Sequence, residues 1–164
     1  MNKLSSDSLI YISEVMMPHQ ANVAGNIHGG EIIKIMDSAA YASARRYARS
    51  NVVTARIDEV EFHLPIMIGD LVTCTAQVVY VGKSSMEVAL TVDVEDLETE
   101  GKKRALSAFF TMVALDKKGR PNPVASLKLI TPEEEKAFAE GQKRYEGHKI
   151  KKQKKVKKNR IIKN

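Results

Sequence analysis

The hydrophobic positions of this 164-residue chain follow two different periods. Near its start, the segment over residues 31–49 is apolar around most of the helical circumference, which indicates a helix buried on several sides. Five other segments are rich in Val, Ile, Thr and Tyr, as is typical of β-strands; they span residues 8–17, 52–64, 71–81, 86–97 and 104–115. Turn signals at Gly82–Lys83 and Glu100–Gly101 favour antiparallel pairing. The pattern therefore predicts an α+β fold with one buried helix.

A second helix is predicted after the last strand. Thr131 can cap its start, Pro132 suits the first turn, and the glutamates at 133–135 favour the positive end of the helix dipole. We expect a folded domain over residues 1–130, this helix over 131–147, and a basic, disordered tail over 148–164.

The net charge of +6 is concentrated at the C-terminus. Residues 149–164 hold nine Lys or Arg and no acid, and the remaining chain has 17 basic and 20 acidic residues, a net charge of −3. A solvated tail is the favoured interpretation of such a run, and contact with nucleic acid or an anionic membrane is the alternative. We therefore expect no membrane partner, and the sequence disfavours nucleic acid as a partner.

Several function classes are disfavoured by what the sequence lacks. The single cysteine, Cys74, excludes an internal disulfide, fits a reducing compartment and is expected to be a buried, inert thiol. No apolar run approaches 18 residues and no signal peptide is recognised, so a cytoplasmic location is expected. The four histidines are scattered and the one cysteine adds no paired spacing, so no metal site is expected. The absence of a Gly-x-Ser-x-Gly elbow disfavours a Ser-His-Asp hydrolase, and the sequence contains no phosphate-binding loop.

A polar, glycine-punctuated loop over residues 22–30 leads into the long helix. Gly29 and Gly30 allow close approach of a ligand to the backbone. The first N–H groups of a helix are unpaired donors in a positive field, which suits a carbonyl oxygen that develops negative charge. Asp37 follows about 12 Å further along the helix axis. A carboxylate on an apolar helix face indicates either a catalytic base or an aspartate that is solvated or paired with Lys34.

Two loop residues have structural and functional interpretations. Asn22 can donate and accept hydrogen bonds, which suits holding a water or a carbonyl oxygen, but asparagine is also a common turn residue. His28 is either a structural donor or a ligand contact. The residues themselves leave both alternatives open.

Further motifs keep a fixed spacing with this loop. They are residues 22–30, Met36–Asp37, Val53–Thr54, Phe62–Pro65, Gly69–Asp70 and Gly82–Met86. Through this set, over about residues 8–125, the chain resembles the acyl-CoA hydrolase family of the hot-dog fold, of the bacterial and brain type. The resemblance implies an antiparallel sheet of about five or six strands wrapped around one long central helix. It also implies hydrolysis of acyl-CoA to fatty acid and CoA without a cofactor.

The resemblance also implies site residues and an assembly. Asp37 is the implied general base or nucleophile, and Asn22 is the second implied catalytic residue. Implied substrate contacts are His28, Gly29, Gly30, Thr54, Gly82, Lys83, Ser84 and Ser85. The expected assembly is a homodimer with composite sites, built further into a trimer of dimers. The alternative functions are an acyl-thioester hydratase or dehydratase of the same fold and a non-catalytic acyl-CoA-binding regulator.

Overall fold

The computed structural model describes the backbone of residues 2–99 and 101–162, and side chains up to residue 156. The chain divides into two compact units, Met1–Lys128 and Leu129–Asn164. The boundary lies two residues from the predicted end of the first domain at residue 130.

The first unit is built on a five-stranded antiparallel sheet with one long helix. The strands are β2 (Ile10–Val15), β3 (Asn51–Asp58), β4 (Leu71–Val81), β5 (Ser85–Glu95) and β6 (Lys102–Leu115), and helix α1 spans Gly29–Ala48. Their order in the sheet is β2-β4-β5-β6-β3, and every neighbouring pair is antiparallel. Helix α1 contacts all five strands. The α+β fold with a sheet around a central helix is therefore confirmed.

Helix α1 is held by its apolar face. Its buried residues are Ile32, Ile35, Met36, Ala39, Ala40, Ser43, Ala44 and Tyr47. The small side chains in the middle let the strands approach closely, while the larger ones fill the space at both ends. Arg45 and Arg46 occupy the last turn, where cations favour the helix dipole, and Arg49 ends the helix in the left-handed conformation (φ 55°).

The strands differ in how much of each faces water. Alternate residues of β4 and β5 are buried, because one face of each strand covers α1. Strand β3 lies at one edge of the sheet and exposes most of its side chains, including Val53 at 42% and Ile57 at 43%. A bulge in its pairing with β6 falls between Thr54 and Arg56.

The sequence pattern missed one short pairing. Strands β1 (Asn2–Leu4) and β7 (Ser126–Lys128) form a separate two-stranded parallel sheet. Three residues are too few to show a period. The first predicted strand, over residues 8–17, is confined to β2, and the predicted strand over residues 52–64 ends at Asp58, where Glu59 has a positive φ of 45°.

The second unit contains helix α2 (Pro132–Ile162). The predicted start is confirmed: the Thr131 hydroxyl accepts from the Glu134 N–H at 3.2 Å, and the Glu134 carboxylate accepts from the Thr131 N–H at 3.3 Å. The predicted helix end at residue 147 differs from the structure, because the helix continues through the segment expected to be disordered. Lysine and glutamine are good helix formers, so no residue type after Gly147 ends the helix. No helix in the described part of the chain is long and apolar enough to cross a membrane.

The buried thiol expected at Cys74 is confirmed. Its side chain lies in β4 with no exposed surface, and burial raises the pKa of the thiol to about 12. A thiol with this pKa is almost wholly protonated near neutral pH, so it is a poor nucleophile.

Candidate active site

The loop that leads into α1 is organised by His28. Its Nδ1 accepts a hydrogen bond from the Gly30 N–H at 3.2 Å, so the imidazole caps the helix. This cap explains why α1 begins at Gly29, two residues before the predicted start. It also corrects the interpretation of His28 as a structural donor, because the ring nitrogen that bonds to the protein is an acceptor.

Asn22 forms the turn at the beginning of the same loop. Its Oδ1 accepts from the Ala24 N–H at 3.0 Å and from the Asn26 N–H at 3.2 Å. Two backbone donors fix the amide oxygen on the side of the turn. The amide nitrogen has no hydrogen-bond partner among the described residues, so Asn22 combines its structural role with two N–H donors that remain available to a ligand.

Asn22 and Gly29 line the same cavity, which has a volume of about 350 Å³. The other lining residues are Asn26, Ile27, Ile32, Phe62, His63, Leu64, Pro65 and Ile66. The wall is tied to the loop through the Ile27 N–H, which donates to the Ile66 carbonyl at 2.8 Å. The cavity is therefore an open pocket beside the helix start, lined by both polar and apolar groups.

Gly29 contributes a backbone donor to this cavity. Its N–H has no hydrogen-bond partner among the described residues, whereas the Gly30 N–H is engaged by His28. A β-carbon placed on Gly29 would lie 3.4 Å from Cζ of Phe62, so the glycine allows the ring to lie over the helix start. Of the two predicted glycine donors, Gly29 is the one with an available N–H.

Asp37 is held from the edge strand of the sheet. Its Oδ1 accepts a hydrogen bond from the Thr54 hydroxyl at 2.6 Å, and its side chain is half-buried. No ion pair with Lys34 or any other cation forms on Asp37 in the described part of the chain. The alternative of a salt bridge between Asp37 and Lys34 is therefore wrong for the described residues.

Thr54 owes its position to the irregularity of β3. It pairs with Met112 of β6, and the register shift that follows it leaves Ala55 as the extra residue of the bulge. Bulges of this kind re-aim neighbouring side chains and are frequent beside active sites. The resemblance implies that Thr54 contacts substrate. In the structure the Thr54 hydroxyl donates a hydrogen bond to Asp37, a contact that no local sequence pattern indicates.

The structure brings together only some of the predicted site residues. Asn22, Gly29 and the cavity form one group, while Asp37 and Thr54 form a second group that does not line the cavity. Residues 82–85 lie in the β4–β5 turn, closed by the Gly82 N–H and the Ser85 carbonyl at 2.8 Å. This turn lines neither the cavity nor the Asp37 site within the described residues, and its predicted contact with CoA stays a prediction.

The comparisons with known proteins identify a family. The profile of the Thioesterase superfamily matches residues 24–100. The cytosolic acyl coenzyme A thioester hydrolase of Mus musculus is 37% identical over 151 residues, which cover 91% of this chain and 39% of that protein. The uncharacterised acyl-CoA thioester hydrolase YkhA of Bacillus subtilis is 36% identical over 132 residues, covering 80% of this chain and 77% of that protein.

Solved structures give the same result. The acyl-CoA hydrolase of Staphylococcus aureus, in complex with butyryl-CoA, CoA and CoA disulfide, superimposes with a TM-score of 0.88 at 28% identity and full coverage of both chains. An apo-hexameric acyl-CoA thioesterase has a TM-score of 0.87 at 31% identity, with 92% of this chain and 96% of that chain covered.

The chain spans only 39% of the length of its mouse relative, but more than three quarters of the bacterial one and nearly all of the solved structures. The sequence matches and the superimposed structures thus point to the same family. The chain belongs to the Thioesterase superfamily, among its hot-dog-fold acyl-CoA hydrolases.

Proposed function

We propose that this protein is a thioesterase that hydrolyses acyl-CoA to a free fatty acid and CoA, without a cofactor and in the cytoplasm. The observation that carries the proposal is the half-buried Asp37 carboxylate, which accepts a hydrogen bond from Thr54 at 2.6 Å. The same helix begins at Gly29, which lines a cavity together with Asn22 of the preceding loop. Thioester hydrolysis requires a base or nucleophile and donors for the carbonyl oxygen, and these groups supply both.

The spacing of the residues supports the assignment. Further structures of the Staphylococcus aureus hydrolase carry alanine in place of one asparagine, one aspartate or one threonine. The asparagine and the aspartate are 15 positions apart there, and the aspartate and the threonine are 17 positions apart. Asn22, Asp37 and Thr54 have the same residue types at the same two spacings.

The donors for the thioester oxygen lie at the start of α1 and in the loop before it. The Gly29 N–H and the Asn22 amide donate to the thioester oxygen, whose negative charge grows as the tetrahedral intermediate forms. These donors are fixed before substrate binds, because the Asn22 oxygen is held by two backbone N–H groups. Their stabilisation therefore needs no rearrangement during the reaction.

The nucleophilic half is Asp37. As a general base it removes a proton from the water that attacks the thioester carbon, and collapse of the intermediate expels the CoA thiolate, which then takes up a proton. As a nucleophile it forms an acyl-aspartyl anhydride with loss of the same thiolate, and water then hydrolyses the anhydride. In both routes the Thr54 hydroxyl orients one carboxylate oxygen and leaves the other for the reaction.

We infer that the two halves come from different chains. Gly29 and Asp37 lie about 12 Å apart along α1, yet a reacting carbonyl must be within about 3 Å of its donors and close to the base. In a two-fold dimer with antiparallel helices, Asp37 of the partner subunit faces the helix start of the first chain. Each dimer then has two equivalent sites.

The exposed edge strand supports this dimer. Strand β3 carries Thr54, leaves one backbone edge without a strand partner in the described residues, and exposes Val53 and Ile57. An open edge with apolar side chains is suited to pairing with another chain. Because one similar thioesterase is hexameric, a trimer of such dimers is the assembly that we propose.

A thiol-release assay with acyl-CoAs from acetyl to palmitoyl tests the proposed activity. We expect CoA thiol and free acid in equal amounts. Formation of an enoyl product without thiol release would instead identify a hydratase or dehydratase. Binding of acyl-CoA without any turnover would identify a regulator.

Mixing two inactive variants tests the composite site. Asp37→Asn and Asn22→Ala subunits are allowed to exchange, so that a mixed dimer has one site with both defects and one site with neither. Activity should return to about half of the wild-type value per mixed dimer, if the sites act independently. Proven exchange without recovery would mean that each chain holds a complete site.

A further inference from the structure

Arg45, near the end of α1, is held by two neutral groups. Its Nη1 donates to the Tyr41 hydroxyl at 2.7 Å and to the Asn51 side-chain oxygen at 3.0 Å. The guanidinium carbon also lies 5.6 Å from the centre of the Tyr41 ring. Neither partner carries a negative charge, and no ion pair to Arg45 forms among the described residues. The positive charge of Arg45 is therefore fixed in position without being neutralised.

One edge of this guanidinium is available to a ligand. With Nη1 engaged, the N–H donors on Nε and Nη2 have no hydrogen-bond partner in the part of the chain that the structure describes. This edge matches the two oxygens of a carboxylate, or two oxygens of a phosphate, in a bidentate contact. Because the Tyr41 oxygen accepts from Arg45, its own hydroxyl proton is a further donor for the same anion. Both side chains are exposed, so an anion can reach them.

The distance from this edge to the Asp37 carboxylate follows from two elements. Along α1, Arg45 comes eight residues after Asp37, a separation of about 12 Å. Strand β3 gives a second measure, because Thr54 bonds to Asp37 and Asn51 bonds to Arg45. These strand residues are three apart in a stretch of regular pairing with β6, which separates them by about 10 Å. Both charged groups belong to one chain, so the distance does not depend on the assembly.

We propose that Arg45 binds the terminal carboxylate of a dicarboxylic acyl-CoA while Asp37 acts on its thioester; the proposal rests on the proposed function. Contacts of about 3 Å at each end leave about 4–6 Å for the acyl chain. At about 1.2 Å per bond of an extended chain, this space holds about three to five bonds. Succinyl, glutaryl and adipyl groups have this length. Arg45 is then a specificity-determining residue for the charge at the far end of the acyl group.

A phosphate of CoA is the other anion that the substrate carries. The phosphate nearest to the thioester carbon is about fourteen bonds away, or about 17 Å in an extended arm. This arm is longer than the separation between Asp37 and Arg45. The distance therefore favours a carboxylate on the acyl side of the thioester as the anion at Arg45.

The experiment measures kcat/KM for thiol release on matched pairs of substrates: succinyl- with butyryl-CoA, glutaryl- with pentanoyl-CoA, and adipyl- with hexanoyl-CoA. The members of a pair have the same number of acyl carbons and differ in the terminal charge. Low ionic strength is used, because salt screens exposed charges. The wild-type protein should prefer the dicarboxylic member of at least one pair. Arg45→Gln should lower this preference about tenfold to a hundredfold, the usual cost of a hydrogen bond between charged groups.

Three further variants separate binding by Arg45 from a structural effect. Arg45→Lys keeps the charge but loses the bidentate edge, so its preference should lie between those of Arg45→Gln and wild type. Tyr41→Phe keeps the ring and removes one acceptor of Arg45, so it should cause a smaller decrease. Arg46→Gln is the matched control: Arg46 is also exposed in the last turn but donates to the Leu9 carbonyl at 2.7 Å. It should keep the wild-type preference. A ratio measured within one variant is independent of the fraction of protein that is folded.

Several results would overturn the proposal. One is a wild-type protein that prefers the monocarboxylic member of every pair, a measurement that needs no variant. Another is an unchanged preference in Arg45→Gln, or the same change in Arg46→Gln. Equal losses on both members of each pair in Arg45→Gln would assign Arg45 to a CoA phosphate instead. All of these results leave the thioesterase activity in place, whereas the absence of thiol release from every acyl-CoA would contradict the proposed function.

Discussion

The two helices of this protein differ in the burial of their side chains and in the charge that they carry. Helix α1 has 20 residues, of which eight are buried, and its half-buried Asp37 carboxylate accepts a hydrogen bond from the Thr54 hydroxyl. Helix α2 has 31 residues, a mainly exposed surface where its side chains are described, and most of the excess positive charge. The comparison teaches that one carboxylate held by a neighbouring hydroxyl is better evidence for chemistry than many solvated cations. The predictions below test this difference, beginning with the largest effect.

Asp37→Asn should lower kcat about 10²–10⁴-fold, because the amide cannot take a proton from water. Its size and its contact with Thr54 are conserved, so the melting temperature and CoA binding should remain close to wild type. Steady-state thiol release and calorimetric titration with CoA measure the two quantities. Activity within threefold of wild type would remove Asp37 from the mechanism.

Asn22→Asp should lower kcat about 10²–10³-fold, the usual cost of losing one oxyanion donor. The carboxylate keeps an oxygen for the Ala24 and Asn26 N–H groups, so the turn should survive. It replaces the donating amide with an acceptor that repels the developing oxyanion. Thiol release compared with thermal unfolding checks this separation, and a parallel loss of stability and activity would instead assign Asn22 to the turn alone.

Thr54→Val should lower kcat about tenfold to a hundredfold, since a hydrogen bond to a charged group is lost while the shape of the side chain is kept. Thr54→Ser restores the hydroxyl and serves as the control. If Thr54 acts only through Asp37, the Thr54→Val change should have no further effect in an Asp37→Asn background. Additive losses in the double variant would mean that Thr54 contacts substrate independently.

Truncation after Gly147 should have the smallest effect, less than about twofold on the hydrolysis of butyryl-CoA. The removed segment holds the lysine-rich part of α2 and few apolar side chains. Rates of the truncated and full-length proteins are compared at low and physiological salt. A large loss at physiological salt would show that this cationic segment helps to hold the CoA phosphates, and the contrast between the helices would then fail.

The sequence predicted the parts of the structure that depend on regular periods. The buried face of α1, the strand series and the antiparallel order follow from side-chain patterns that are local in the chain. The short strands β1 and β7 escaped, because a three-residue pairing depends on partners more than a hundred residues apart. The predicted end of α2 at residue 147 was too early, since the lysine-rich run was interpreted by its charge as a solvated tail. Lysine is also a good helix former, and that property allows the helix to continue.

The candidate site was predictable in residue type but not in geometry. Asp37 was identified by its apolar surroundings, yet its partner Thr54 comes from a different element. For His28 the sequence left a structural donor and a ligand contact open, because either imidazole nitrogen can donate or accept until a neighbouring N–H fixes one of them. The structure makes Nδ1 an acceptor, and the contact of His28 with substrate stays a prediction. The position of Phe62 emerged only when the fold brought the loop after β3 over Gly29.

The open edge of β3 has a consequence for how the protein would behave in a cell. If catalysis needs groups from two chains, the number of working sites depends on the square of the chain concentration when the protein is dilute. Activity per chain then falls on dilution and rises with expression level, without any small-molecule regulator. If the exposed Val53 and Ile57 form the contact of the proposed dimer, the abundance of the chain itself controls its activity.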